Sequence, residues 1–301
     1  LNALNAEKKY PLSFLDEWKD PERIVSWLGS LDWRRNTWCN GNLAMFLGIF
    51  LIHDMESTKS SETKRCLDQF FKWHDENQDP KTGFWGTNFG TPIDRGLFGA
   101  MHQYLLYYYT NRQLNFKDKI VDNTLLLQQE DGLFCAQGGG DGCMDLDAVD
   151  TLVNMHILFD YKRPLIERSM RKTLISTLDL QGDDGGFLWT RRYRFDIKKW
   201  CTLGASVFHH CNLNYWISSC KDSLIGQIVI YNKPRITGEW TSNRVPISES
   251  DLFSTWVRSL NLALISQILP ECPYKEFDWG FLEAPGLGFF KKNVLTNPAA
   301  P

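Results

Sequence analysis

Four carboxylates fall within ten residues in the segment Gly138-Gly139-Gly140-Asp141-Gly142-Cys143-Met144-Asp145-Leu146-Asp147-Ala148-Val149-Asp150-Thr151. A helix starting near Asp145 would put Asp147 and Asp150 on one face at i, i+3, with Asp145 at or beside the cap. Carboxylates crowded into a poorly solvated place cannot all ionise cheaply, so at least one keeps its proton near neutrality and can act as a general acid. The helix dipole works the other way, because the amino end of a helix favours the anion. Asp147, Asp145 and Asp150 are therefore the candidate catalytic residues. The three glycines ahead of them follow a turn and not a strand, so they do not form a nucleotide-binding loop.

Those acids need elements to hold them, and a repeat supplies them. A turn carrying Gly and an aromatic residue recurs after a Gln: Gln78-Asp79-Pro80-Lys81-Thr82-Gly83-Phe84-Trp85, Gln129-Glu130-Asp131-Gly132-Leu133-Phe134 and Gln181-Gly182-Asp183-Asp184-Gly185-Gly186-Phe187. Weaker copies stand at Leu31-Asp32-Trp33, Gly238-Glu239-Trp240 and Asp278-Trp279-Gly280-Phe281. A period of about 50 residues is two helices with their connections, and stacked helix pairs bury each other's apolar faces. Apolar residues at helical spacing predict helices over 43–54, 62–77, 96–110, 117–129, 146–161, 165–181 and 252–269, with a less regular fourth pair around 200–227. The expected fold is all-α, an (α/α)6 toroid of six helix pairs in one domain over residues 1–301.

The turns resemble the QW-type repeats of squalene-hopene and other class II terpenoid cyclases, and related turns of protein prenyltransferase β-subunits. In that superfamily the amino ends of the inner helices face a central cavity, which implies that segments following the turns line the site. Asp145-Leu146-Asp147-Ala148 resembles the DxDD motif whose middle Asp protonates an alkene or epoxide, and this implies that Asp147 is the acid. The motif's last Asp is Ala148 here, with Asp150 one helical turn beyond Asp147. A further departure is that such cyclases usually place the site between two helical domains. The implied activity is acid-initiated cyclisation or isomerisation of an isoprenoid. Asp141-Gly142-Cys143 resembles instead the Asp-x-Cys zinc pair of prenyltransferase β-subunits. That match implies a zinc-dependent, prenyltransferase-like subunit, with His209 or His210 as third ligand although neither matches the family's His by position. The cyclase reading needs no cofactor; a metal, if one is used, would be zinc or magnesium.

A third reading is open, because (α/α)6 barrels also host carbohydrate-active hydrolases, lyases and epimerases. Asp147 with Asp94 or Asp251 would then be the acid–base pair on a saccharide. Candidate substrate-binding residues after the first turn are Asp94, Arg95 and His102. After the third come Trp189 and the cluster Arg191, Arg192 and Arg194, and Asp251, Trp256 and Arg258 open a late helix. Each has an ordinary structural alternative: Asp94 and Asp251 as helix caps, His102 as a core histidine, the arginines as a solvated loop. The net charge of -3 gives no general attraction for nucleic acid. The longest apolar run, Leu43 to Ile52, is too short to span a membrane. No export signal opens the sequence as given, so the expected compartment is the cytoplasm. The eight cysteines carry no CxxC pair and are expected reduced. Oligomeric state has no signal in the sequence.

Overall fold

Short polar residues and prolines set the helix starts, and residues in the left-handed region set several of the stops. The structure is a computed structural model that describes residues 10–135, 138–190, 235–236, 244–245, 249–281 and 286–288. Helix α1 (Pro21–Ser30) is capped by the Asp20 carboxylate, which accepts from the Glu22 N–H, with Pro21 in the first turn. This helix lies outside the predicted set, although Asp20-Pro21-Glu22 is a start signal. Helix α2 (Thr37–Thr58) ends at Lys59 and α4 (Ile93–Thr110) at Asn111, both left-handed with φ of 56° and 54°. Helix α3 (Ser61–Asn77) is capped by the Ser60 hydroxyl on the Thr63 N–H at 3.2 Å. Helices α5 (Lys117–Leu127), α6 (Gly142–Leu158), α7 (Arg163–Leu178) and α8 (Leu252–Ser266) follow among the described residues. The protein is helical as expected; the β-structure among the described residues is one antiparallel pairing of Arg235–Ile236 with Arg244–Val245 and two isolated bridges.

The chain divides into two compact units, Leu1–Ile120 with Gly280–Pro301 and Val121–Trp279. In the first, α2 packs along α4, α1 packs on α3, and α2 packs on α3. Odd and even helices thus form two layers, as stacked helix pairs do. The α2–α4 contact is closest at glycine: a Cβ on Gly41 would lie 2.4 Å from the Gly99 carbonyl oxygen, and one on Gly99 2.6 Å from that of Thr37. Phe70, Phe71, Trp85, Tyr104 and Tyr107 fill the interior around His74. In the second unit α6 packs on α8, and α7 packs on both.

The three turns share one hydrogen-bond pattern. The Gln78 side-chain amide donates to the Gly83 carbonyl (2.8 Å), Gln128 to Gly132 (3.0 Å) and Gln181 to Gly185 (3.0 Å). The next backbone N–H, of Asp79, Gln129 and Gly182, donates to the carbonyl just past that glycine, of Phe84, Leu133 and Gly186. Each glycine has positive φ: 75°, 83° and 83°. This alignment corrects the sequence register at two places. Gln128, not Gln129, is the repeat glutamine, and Trp85, not Phe84, is the counterpart of Phe134 and Phe187. Trp85 is fixed by its indole N–H on the His74 carbonyl at 2.8 Å. Of the weaker copies, Trp33 sits between α1 and α2 with its indole on the Leu28 carbonyl, Trp279 donates to the Ser266 hydroxyl, and Trp240 lies outside the described residues.

The third turn lies beside the start of α8. Leu188 bridges Ser250, and the Phe187 N–H donates to the Thr255 hydroxyl at 3.0 Å, so the chain is back beside its own turn two residues before α8 begins. The expected fourth pair around 200–227 lies outside the described residues.

Gly132 and Gly185 have the same φ but different surroundings. A Cβ on Gly132 would lie 2.8 Å from the Lys172 backbone, while one on Gly185 meets nothing within 4 Å. Gly185→Ala is expected to lose about 1–2 kcal/mol, the cost of left-handed backbone, and Gly132→Ala upward of about 3 kcal/mol because backbone must also move. Urea unfolding of the two variants measures the difference.

Candidate functional site

Helix α6 begins four residues earlier than its apolar pattern predicts, because Asp141 takes the cap. One Asp141 oxygen accepts from the N–H groups of Cys143 (3.1 Å) and Met144 (3.3 Å), and the other from the Trp189 indole (3.1 Å). Asp145 is therefore in the first turn and is not the cap. Its carboxylate is fully buried and accepts from the Phe134 N–H (2.6 Å), the Asp141 N–H (3.0 Å) and the Arg258 guanidinium (2.5 Å). Arg258, likewise without solvent exposure, also donates to the Trp189 carbonyl at 2.7 Å. Burial pushes the Asp145 carboxyl up, and Arg258 with the two N–H donors opposes it. Three donors on one carboxylate match an ionised group, and we read the pair as an ion pair. It joins the second turn, the third turn, the first turn of α6 and the second turn of α8. The network leaves no room for a side chain at Gly140, where a Cβ would lie 2.8 Å from an Asp145 oxygen and 3.0 Å from the Arg258 guanidinium.

Asp147 and Asp150 stand apart from that network. At 3.6 residues per turn they lie about 160° and 140° around α6 from Asp145. Cys143, Asp147, Asp150 and Asn154, at i, i+4, i+7 and i+11, form one stripe along the helix. Asp147 is 3% and Asp150 2% exposed. One Asp147 carboxyl oxygen has no hydrogen-bond partner among the described residues. Asp150 accepts from the Asn154 side-chain amide at 3.2 Å, and the same amide nitrogen donates to the Asp150 carbonyl at 2.9 Å. Burial pushes the Asp147 carboxyl well above the ordinary range, reinforced by the negative charges of Asp150, Asp141 and Asp145. Burial also raises Asp150, to about 7, with the Asn154 amide pulling the other way. Burial therefore pushes both carboxyls toward the protonated form, Asp147 more strongly than Asp150.

The other sequence candidates divide between the two units. Asp94 is buried in the first turn of α4, whose cap position is Pro92, so Asp94 is not a cap. Arg95 lies over the Trp38 ring at 5.9 Å. His102 is a core histidine: its Nδ1 pairs with the Phe98 carbonyl at 2.6 Å, and burial lowers its pKa to about 4. These three belong to the first unit. In the second, Asp251 caps α8, accepting from the Ser254 N–H at 2.8 Å. Trp189 stacks on Phe253 at 5.7 Å, and Phe253 meets half-exposed Trp256 edge-on at 5.6 Å. The structure thus brings Asp141, Asp145, Trp189 and Arg258 together and leaves Asp147 with Asp150. Asn154 was missed by sequence reasoning, although the spacing from Cys143 marks it. Among the described residues no group of three His, Cys, Asp or Glu side chains is placed to hold a metal, and no helix is long and apolar enough to cross a membrane. His209, His210, Arg191, Arg192 and Arg194 lie outside those residues.

Comparison with protein-family models, curated proteins and solved structures gave no match.

Removing one member of a buried ion pair strands the other charge, so Arg258→Met is expected to cost about 3–5 kcal/mol. Chemical unfolding is the measurement, and a variant within about 1 kcal/mol of wild type would refute the clamp. A second expectation concerns pH. A carboxyl whose pKa is raised by folding binds its proton more tightly in the folded chain, so stability falls as pH climbs from the ordinary 3.8 to about 7 and then levels. Asp150→Asn should flatten this fall by a few kcal/mol, since each tenfold change in proton affinity corresponds to about 1.4 kcal/mol. Melting temperatures across pH 4 to 8 decide it.

Proposed function

We propose that this chain is an enzyme of the class II terpenoid cyclase type, in which Asp147 protonates an alkene or epoxide of an isoprenoid substrate. The observation that carries the reading is Asp147 itself: a buried carboxyl with one oxygen unpartnered among the described residues, pushed toward its protonated form by burial and by Asp150. In the proposed reaction the Asp147 O–H bond breaks and its proton forms a C–H or O–H bond on the substrate, leaving a carbocation. Cyclisation or isomerisation follows, and loss of a proton from carbon regenerates an alkene, so the proton count balances. A carbocation needs a dry site and π faces. The near-absence of solvent at Asp147 and Asp150 supports the first requirement, and the aromatic group Trp189, Phe253 and Trp256 in the same unit supports the second. The same burial argues against the wet acidic groove of a saccharide enzyme.

The closed ring of six helix pairs belongs to this proposal. Its support is the two-layer alternation within the first unit, and the turn pattern common to Gln78, Gln128 and Gln181.

Asp147→Asn is the test. Purified protein is incubated with squalene, 2,3-oxidosqualene and geranylgeranyl diphosphate, and products are followed by mass spectrometry. The wild type should convert one of them and the variant should lose about 10²–10⁴-fold, with an unchanged circular dichroism spectrum. Undiminished turnover in the variant removes Asp147 from the mechanism; no conversion of any substrate by the wild type removes the isoprenoid.

A further inference from the structure

On α6 the two buried carboxyls of the stripe differ in one respect that geometry alone shows. Among the described residues Asp150 has an amide donor and Asp147 does not. The Asn154 side chain is held by its 2.9 Å bond to the Asp150 carbonyl, and it places the same NH₂ group 3.2 Å from the Asp150 carboxyl oxygen. An amide N–H can donate to a carboxylate, and it offers nothing to a carboxyl proton. Asn154 is itself only 5% exposed, so solvent does not compete for that bond. Asp147, one turn earlier, has its backbone carbonyl bonded by Thr151 and one carboxyl oxygen without a partner.

We infer that Asn154 is a positioning residue that assigns the proton of the pair: it stabilises Asp150 as carboxylate and so leaves the acid form on Asp147. The inference rests on reading Asp147 and Asp150 as a proton-transfer pair, and it specifies which is donor and which is acceptor before substrate arrives. Other charged groups near α6 are already committed. Arg258 of α8 is bound to Asp145 on the far side of the helix, and Asp141 caps it. His156, in the last turn, pairs with Glu167 of α7 at 3.1 Å. Asn154 is thus the donor among the described residues that distinguishes the two carboxyls.

The test needs no substrate. Infrared difference titration of the whole protein follows the carboxyl bands, assigned with Asp147→Asn and Asp150→Asn. Asn154→Leu should raise the lower ionisation step by about one pH unit or more, the effect of losing a hydrogen bond to a charged group, while Asn154→Ser, which keeps a donor, should move it less. An unchanged lower step in folded Asn154→Leu overturns the inference. Should that variant not fold, the two single-acid variants decide. Asp150 in Asp147→Asn should ionise at lower pH than Asp147 in Asp150→Asn, and the reverse order or equal values overturn it. Loss of the cyclase reading would leave these titrations unaffected, so the two failures can be told apart.

Discussion

An arginine and an aspartate with no access to water hold the second unit in register. Asp145 and Arg258 are 113 residues apart, yet their pair touches the N–H that closes the second turn and the carbonyl that leaves the third, and it ties the first turn of α6 to the second turn of α8. Desolvating two ions is costly, and the pair offsets it with two backbone N–H groups that join the guanidinium on the carboxylate. Such a pair contributes little net stability over an apolar substitute, but it is intolerant of half measures. It therefore acts mainly as a specification: α6 and α8 can meet in one register, the one that puts Arg258 opposite Asp145.

The turns do related work at the backbone level. A glutamine amide folded onto a glycine carbonyl closes each loop, and the positive φ of that glycine lets the chain reverse within a few residues. The signal is local, and for that reason the sequence exposes it: Gln, Gly and an aromatic in close order mark the turn whatever the rest of the chain does. The exact glutamine is less visible, since Gln128 and Gln129 are neighbours and only the hydrogen bond separates their roles.

What sequence reasoning could not reach is non-local. Periodicity located most helices, because an apolar stripe reports burial against something. It did not report against what, and so the return of the chain from Leu188 to Ser250 was unreadable: nothing in either tripeptide announces the other. The acidic segment illustrates the same limit. Its four carboxylates look alike in sequence and become three kinds of group in the fold, a cap, an ion-pair member and a buried stripe. The partners that separate them are Arg258 and Trp189 from elsewhere in the chain, and Asn154 from the helix itself.

That sorting also resolves the competition between helix dipole and burial. The dipole acts within the first turn, and Asp141 and Asp145 occupy the cap and that turn, where backbone N–H groups outside the helical ladder receive their oxygens. Asp147 and Asp150 lie beyond it, where helical N–H groups are already bonded and cannot help an anion. For them burial is the larger effect, and a second carboxyl one turn away adds to it. An acid placed at the very start of the helix would have been ionised by the same features that make the start attractive. Placing the pair one to two turns inside leaves burial to push both carboxyls toward the protonated form, while Asp141 and Asp145 satisfy the first turn.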